Sequence, residues 1–176
     1  MELEHDPVRR EGLFFDQPTF RRDLYRLACA FFASADFARL GRAADDEPVS
    51  ALAAEHQEDE ISRLLVTIAA TVRVIQDRDA TASRSLQISC GRLLPNLANA
   101  KEVEPLSLRE ACNKIIHATK FNFDIKPLPH SERQLPNPTH VLRPLLHLYG
   151  KQRNAHWKAE LNVIHFVRAN AALVRG

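Results

Sequence analysis

Arg109, Asn113 and His117 recur at every fourth position. On an α-helix that spacing keeps three side chains on one side, with a drift of about 40° per step. The residue types suit one kind of chemistry. A histidine takes up and releases protons near neutral pH, a cation offsets phosphate charge, and an amide orients either. Lys114 and Lys120 lie close by. Together these groups would suit cleavage of an RNA backbone. His117 is the candidate acid or base, Asn113 its orienting amide and Arg109 the cation, with Lys114 and Lys120 as RNA contacts. A second basic run, Lys151-Gln152-Arg153-Asn154, is followed by His156 and Trp157. Lys151 and Arg153 there are candidate backbone contacts, and Trp157 either stacks on a base or packs into the core.

Other chemistries find less support. Five histidines crowd the last third, at 130, 140, 147, 156 and 165, but none forms a His-x-His or His-x-x-x-His pair. No metal site is expected from them, although a hairpin can bring His147 and His156 across from one another. The chain has five glycines and no Gly-rich phosphate loop, which removes P-loop and dinucleotide-binding readings and leaves no expected cofactor. Ser83, Ser85 and Ser89 lack the Gly-x-Ser-x-Gly setting of a hydrolase. The three cysteines, Cys29, Cys90 and Cys112, are far apart and sit among apolar residues, so they read as small hydrophobes in a reducing compartment. Twenty-four basic and 22 acidic side chains leave a net charge of +2, too little to hold nucleic acid by bulk charge. No apolar run approaches the roughly 20 residues of a membrane helix, and a cytoplasmic protein is expected.

The elements that must position these groups follow from periodicity. Residues 1–17 read as a polar arm and residues 18–176 as a single helical domain. Asp16 and Pro18 open a helix that carries Phe20, Leu24, Leu27 and Phe31 and runs to near Gly41. Ile61, Leu64, Leu65, Ile68, Ala69, Val72 and Ile75 keep the helical period over four turns. Ser83 to Leu94 reads as a further short helix. Ser107-Leu108-Arg109-Glu110 forms a capping box that opens a helix over 107–121. Residues 126–144 hold five of the ten prolines and read as a proline-rich loop facing Asn113 and His117. Alternation then predicts an antiparallel hairpin over 145–161, and Asn162 caps a final helix. The expected fold is therefore mainly α: a small bundle of four to six helices with a C-terminal β-hairpin and a last helix.

The segment Leu108-Arg109-Glu110-Ala111-Cys112-Asn113-Lys114-Ile115-Ile116-His117-Ala118 resembles the signature helix of the HEPN superfamily. These are small helical bundles, often dimeric. Many are metal-independent ribonucleases of toxin–antitoxin and phage-defence systems, and others are non-catalytic. Their motif runs Arg, a polar residue (commonly Asn), three residues, then His. Asn113 and His117 match it, while Cys112 stands at the Arg position and makes Arg109 the substitute cation. The resemblance implies a homodimer with paired motif helices. It also implies one of two functions: a metal-independent endoribonuclease of the toxin or phage-defence type, or a non-catalytic module that engages RNA, an antitoxin or another protein partner.

Overall fold

A computed structural model describes residues 16–40, 47–78, 88–99, 101–127 and 140–174. Asp16 caps the first helix, α1 (Gln17–Phe32), by accepting the Thr19 N–H at 3.3 Å, with Pro18 in the first turn where its missing N–H costs nothing. The helix expected to reach Gly41 is interrupted at Ala33, and α2 (Ser34–Leu40) follows. A buried hydrogen bond accounts for the break: the Ser34 hydroxyl accepts the Leu142 N–H at 2.8 Å and ties the chain to the sheet. Helix α3 (Pro48–Arg78) has 31 residues, a length of about 46 Å. Its second half supplies the centre of the core, with Ile61, Leu64, Leu65, Ile68, Ala69 and Val72 fully buried.

The rest of the chain departs from a helical bundle with one hairpin. Among the described residues, five strands form one antiparallel sheet in the order β2-β1-β5-β4-β3. The strands are β1 (Ser89–Leu94), β2 (Glu104–Ser107), β3 (Lys120–Pro127), β4 (His140–Gln152) and β5 (Ala155–Asn162). The expected hairpin is present as β4 and β5, turning at Arg153–Asn154, but it lies inside a larger sheet. Of the segment expected as a helix over 83–94, Ser89–Leu94 form β1 and 83–87 lie outside the described residues, and the helix expected over 107–121 stops at Ile116 as α4 (Leu108–Ile116). Its last residues enter β3, where Phe121, Phe123 and Ile125 alternate with Asn122, Asp124 and Lys126. That two-residue period is the signal of a half-buried strand. The described flanks of the proline-rich segment, 126–127 and 140–144, are strand as well, while 128–139 lie outside the described residues.

Two irregularities let this sequence form a sheet. The β1–β2 register shifts between Ser89 and Arg92, and Gly91 sits there with φ +149°. A Cβ at Gly91 would lie 1.9 Å from the Glu160 carbonyl oxygen of β5, so only glycine admits the neighbouring strand. The β3–β4 register shifts between Phe123 and Ile125, opposite Pro144, where a ladder N–H is missing. Along β4 and β5, Leu146, Leu148, Trp157, Ala159 and Leu161 point into one core shared with α1, α3, α4 and α5 (Val163–Leu173). Asn162 caps α5 by accepting the His165 N–H at 3.0 Å. No helix among the described residues is long and apolar enough to cross a membrane.

Candidate functional site

Helix α4 is amphipathic, and its two faces do different work. Leu108, Ala111, Cys112 and Ile115 are buried, while Glu110, Asn113 and His117 remain at the surface. Ser107, the last residue of β2, starts the helix by accepting the Glu110 N–H at 3.2 Å. The Glu110 carboxylate does not turn back to close the capping box. It accepts from Asn113 Nδ2 at 3.3 Å and pairs with Lys114 Nζ at 3.1 Å. His117 is the C-cap residue, exposed, with its N–H on the Asn113 carbonyl at 3.0 Å.

The end of α4 docks on β4. The Thr119 N–H donates to the Tyr149 carbonyl at 2.8 Å. A Cβ at Gly150 would stand 2.2 Å from Trp157 Cζ2 and 3.0 Å from the His117 carbonyl oxygen. Glycine at this position is what allows the indole to lie across β4 and the helix end to close over it. Trp157 is 2% exposed, so it is a core residue and offers no open face to a base. Lys114 lies over its ring, with Nζ 4.6 Å from the centroid. The same ammonium donates to Gln152 Oε1 at 3.3 Å, so this 8%-exposed cation has a carboxylate, an amide and a π face as partners. The carbonyls at the C-terminal end of α4 also favour positive charge there.

A cleft of about 540 Å³ opens between this end of α4 and the tip of the hairpin. Glu110, Asn113, Lys114 and His117 line one side, Lys151, Gln152 and Arg153 the other, and Trp157 the floor. Three cations thus face a space with a single carboxylate. Arg153 occupies its turn with φ 54°, the left-handed region that costs a residue with a Cβ roughly 1–2 kcal/mol.

Five of the seven residues singled out from sequence meet in this cleft: Asn113, Lys114, His117, Lys151 and Arg153. Arg109 does not. The drift of 40° per step, doubled between Arg109 and His117, carries Arg109 round to α3, where its guanidinium donates to Asp77 Oδ1 at 3.0 Å. Lys120 is exposed on β3, opposite Tyr149. The cleft faces the hairpin tip. Glu110 and Gln152 were not read as site residues, although the Glu110–Lys114 spacing of four marks an ion pair on a helix.

Cys112, at the position where the resembled motif has arginine, is fully buried beside Cys90. Burial pushes both thiols up to about 12, so neither is a nucleophile at neutral pH. His147 and His156 are not opposite one another: His147 faces Glu160, and His156 faces Lys151. Among the described residues no three His, Cys, Asp or Glu side chains gather as a metal site would require. No family model, curated protein or solved structure matches the chain.

Proposed function

We propose that this protein is an RNA-binding module that grips the phosphate backbone in the cleft between α4 and the β4–β5 turn. The observation that carries this reading is the meeting of the exposed Lys151 and Arg153 with the Lys114–Glu110 pair, from segments almost 40 residues apart, which leaves the cleft two uncancelled cations. Phosphate contacts by lysine and arginine supply most of the affinity of such interfaces. Asn113 and His117 add polar groups that can bond a phosphate or ribose oxygen. The strained turn supports the same reading. Glycine or asparagine suits that backbone better, and an arginine kept there places a charge at the cleft rim at a cost in stability.

The test is anisotropy of a labelled RNA oligomer over a salt series. Lys151→Glu with Arg153→Glu is expected to weaken binding at least tenfold and to lower the salt slope by about two. Unchanged affinity and slope in a folded double variant would overturn the proposal.

A second reading, a metal-independent ribonuclease, is favoured by one arrangement. His117 and the Glu110 carboxylate line the same cleft as the cations, which puts two proton-transfer groups beside a phosphate site. The Arg109 role falls away here because that guanidinium is engaged by Asp77. Cleavage that persists in chelator and disappears in His117→Ala is the outcome this reading requires.

A further inference from the structure

The face of the sheet turned away from the helices carries its own pattern. Strand partners place Asn122, His147, Glu160 and Arg92 in one row across β3, β4, β5 and β1. The next row is Lys120, Tyr149, Lys158 and Leu94, and a third pairs Lys151 with His156. These rows hold four full cations, Arg92, Lys120, Lys151 and Lys158, against one carboxylate. That carboxylate, Glu160, is already held by Arg92 and by Lys158 Nζ at 3.0 Å. The Asp124–Arg143 pair at the β3–β4 irregularity cancels itself. Tyr149 stands in the middle row, half-buried, with Lys158 Nζ 6.0 Å from its ring centroid. This distance is at the outer limit of a cation–π contact, so the ammonium is held mainly by Glu160 and leaves the ring lightly covered.

We infer that this sheet face is a platform for single-stranded RNA, with a base stacked on Tyr149 and the flanking phosphates on Lys120, Lys151 and Lys158. The inference rests on the cleft reading and extends it. Lys151 lines the cleft and is two residues from Tyr149 on the same side of β4, about 7 Å along the strand. The cleft lies on the helix side and Tyr149 on the other face, so a strand anchored in the cleft reaches the aromatic by passing round the hairpin tip at Lys151. A half-buried aromatic among basic side chains on a sheet face fits unpaired bases. A duplex hides its base faces and presents only backbone.

The experiment compares a labelled single-stranded oligomer with the same sequence as a duplex. Wild type is expected to prefer the single strand. Tyr149→Leu should weaken single-strand binding about tenfold and leave duplex binding within twofold, and Tyr149→Phe should restore the single-strand affinity. A 4-thiouridine oligomer photo-crosslinked to the unmodified protein should mark the peptide of β4 that contains Tyr149, which needs no variant to fold. Equal binding of both forms, or Tyr149→Leu at wild-type affinity with no crosslink on β4, overturns the platform. If the Lys151→Glu, Arg153→Glu variant still loses binding in that case, the cleft reading stands alone. If wild type binds neither form, the cleft reading fails first and the platform with it.

Discussion

The binding role proposed for Arg153 runs against its effect on stability. Its left-handed backbone costs roughly 1–2 kcal/mol relative to glycine, and glycine gives back about 0.5–1 kcal/mol through its freer unfolded chain. Arg153→Gly is therefore expected to stabilise the protein by about 0.5–1 kcal/mol, a rise in Tm of about 2 °C, while RNA affinity falls severalfold. Thermal unfolding and anisotropy on the same sample check both signs. Glu160 is a second case. Burial alone would raise its carboxyl, but hydrogen bonds from Lys158 and Arg92 and their charges outweigh that and hold it below its ordinary value of 4.5. A lowered carboxyl contributes stability that is complete above its unfolded value and is lost as pH falls through its folded one. Wild type should lose Tm more steeply than Glu160→Gln as pH falls from about 5 to about 3, and the two curves should converge at the acid end.

At the scale of elements, each segment follows the period of its own apolar residues, and glycines decide where elements may touch. α3 keeps a clean helical period from Ile61 to Val72, and every one of those apolar positions but the exposed Val66 and Ala70 is buried. In β3, Phe121 to Lys126 shows an equally clear two-residue period that a helix drawn to residue 121 overruns. In β1 and β2 the signal is faint: six and four residues, one with Gly91 and the other with Pro105 at the sheet edge. The bulge at Gly91 holds β2 and β5 on either side of β1. Gly91→Ala combines a forbidden φ with backbone overlap on Glu160 and is expected to destabilise by about 2–4 kcal/mol. Chemical denaturation should register the loss as a lower midpoint with an unchanged slope.

For the whole molecule, one core joins α1, α3, α4 and α5 to the inner face of the sheet. Two of its members are Cys90 and Cys112, both at 0% exposure with thiols pushed up to about 12, while Cys29 is half-buried on α1. Thiol titration at pH 8 should therefore find one group reacting readily in the native protein and three in denaturant. Fast reaction of all three in the folded state would contradict the packing of α4 on the sheet. The same packing explains why the position of the resembled motif's arginine has no place for a guanidinium: it points into the core, where an unpaired charge costs several kcal/mol.

The amino-acid sequence by itself determined the local features: the caps at Asp16 and Asn162, the helical stripe of α3, the hairpin turn at Arg153–Asn154, and which side chains are chemically able to meet a phosphate. Those depend on periods of 3.6 and 2 and on backbone preferences within a few residues. Tertiary structure alone decided that β1, β2 and β3 complete a sheet, since strands gain their hydrogen bonds from partners far along the chain. It also decided the site. Arg109 and His117 share a helix side in sequence, yet Asp77 on α3 holds the first and the hairpin tip meets the second. Lys114 sits over Trp157 because Gly150 leaves room for the indole across β4, and the cleft beside it joins Lys114 to Lys151, which no local period connects.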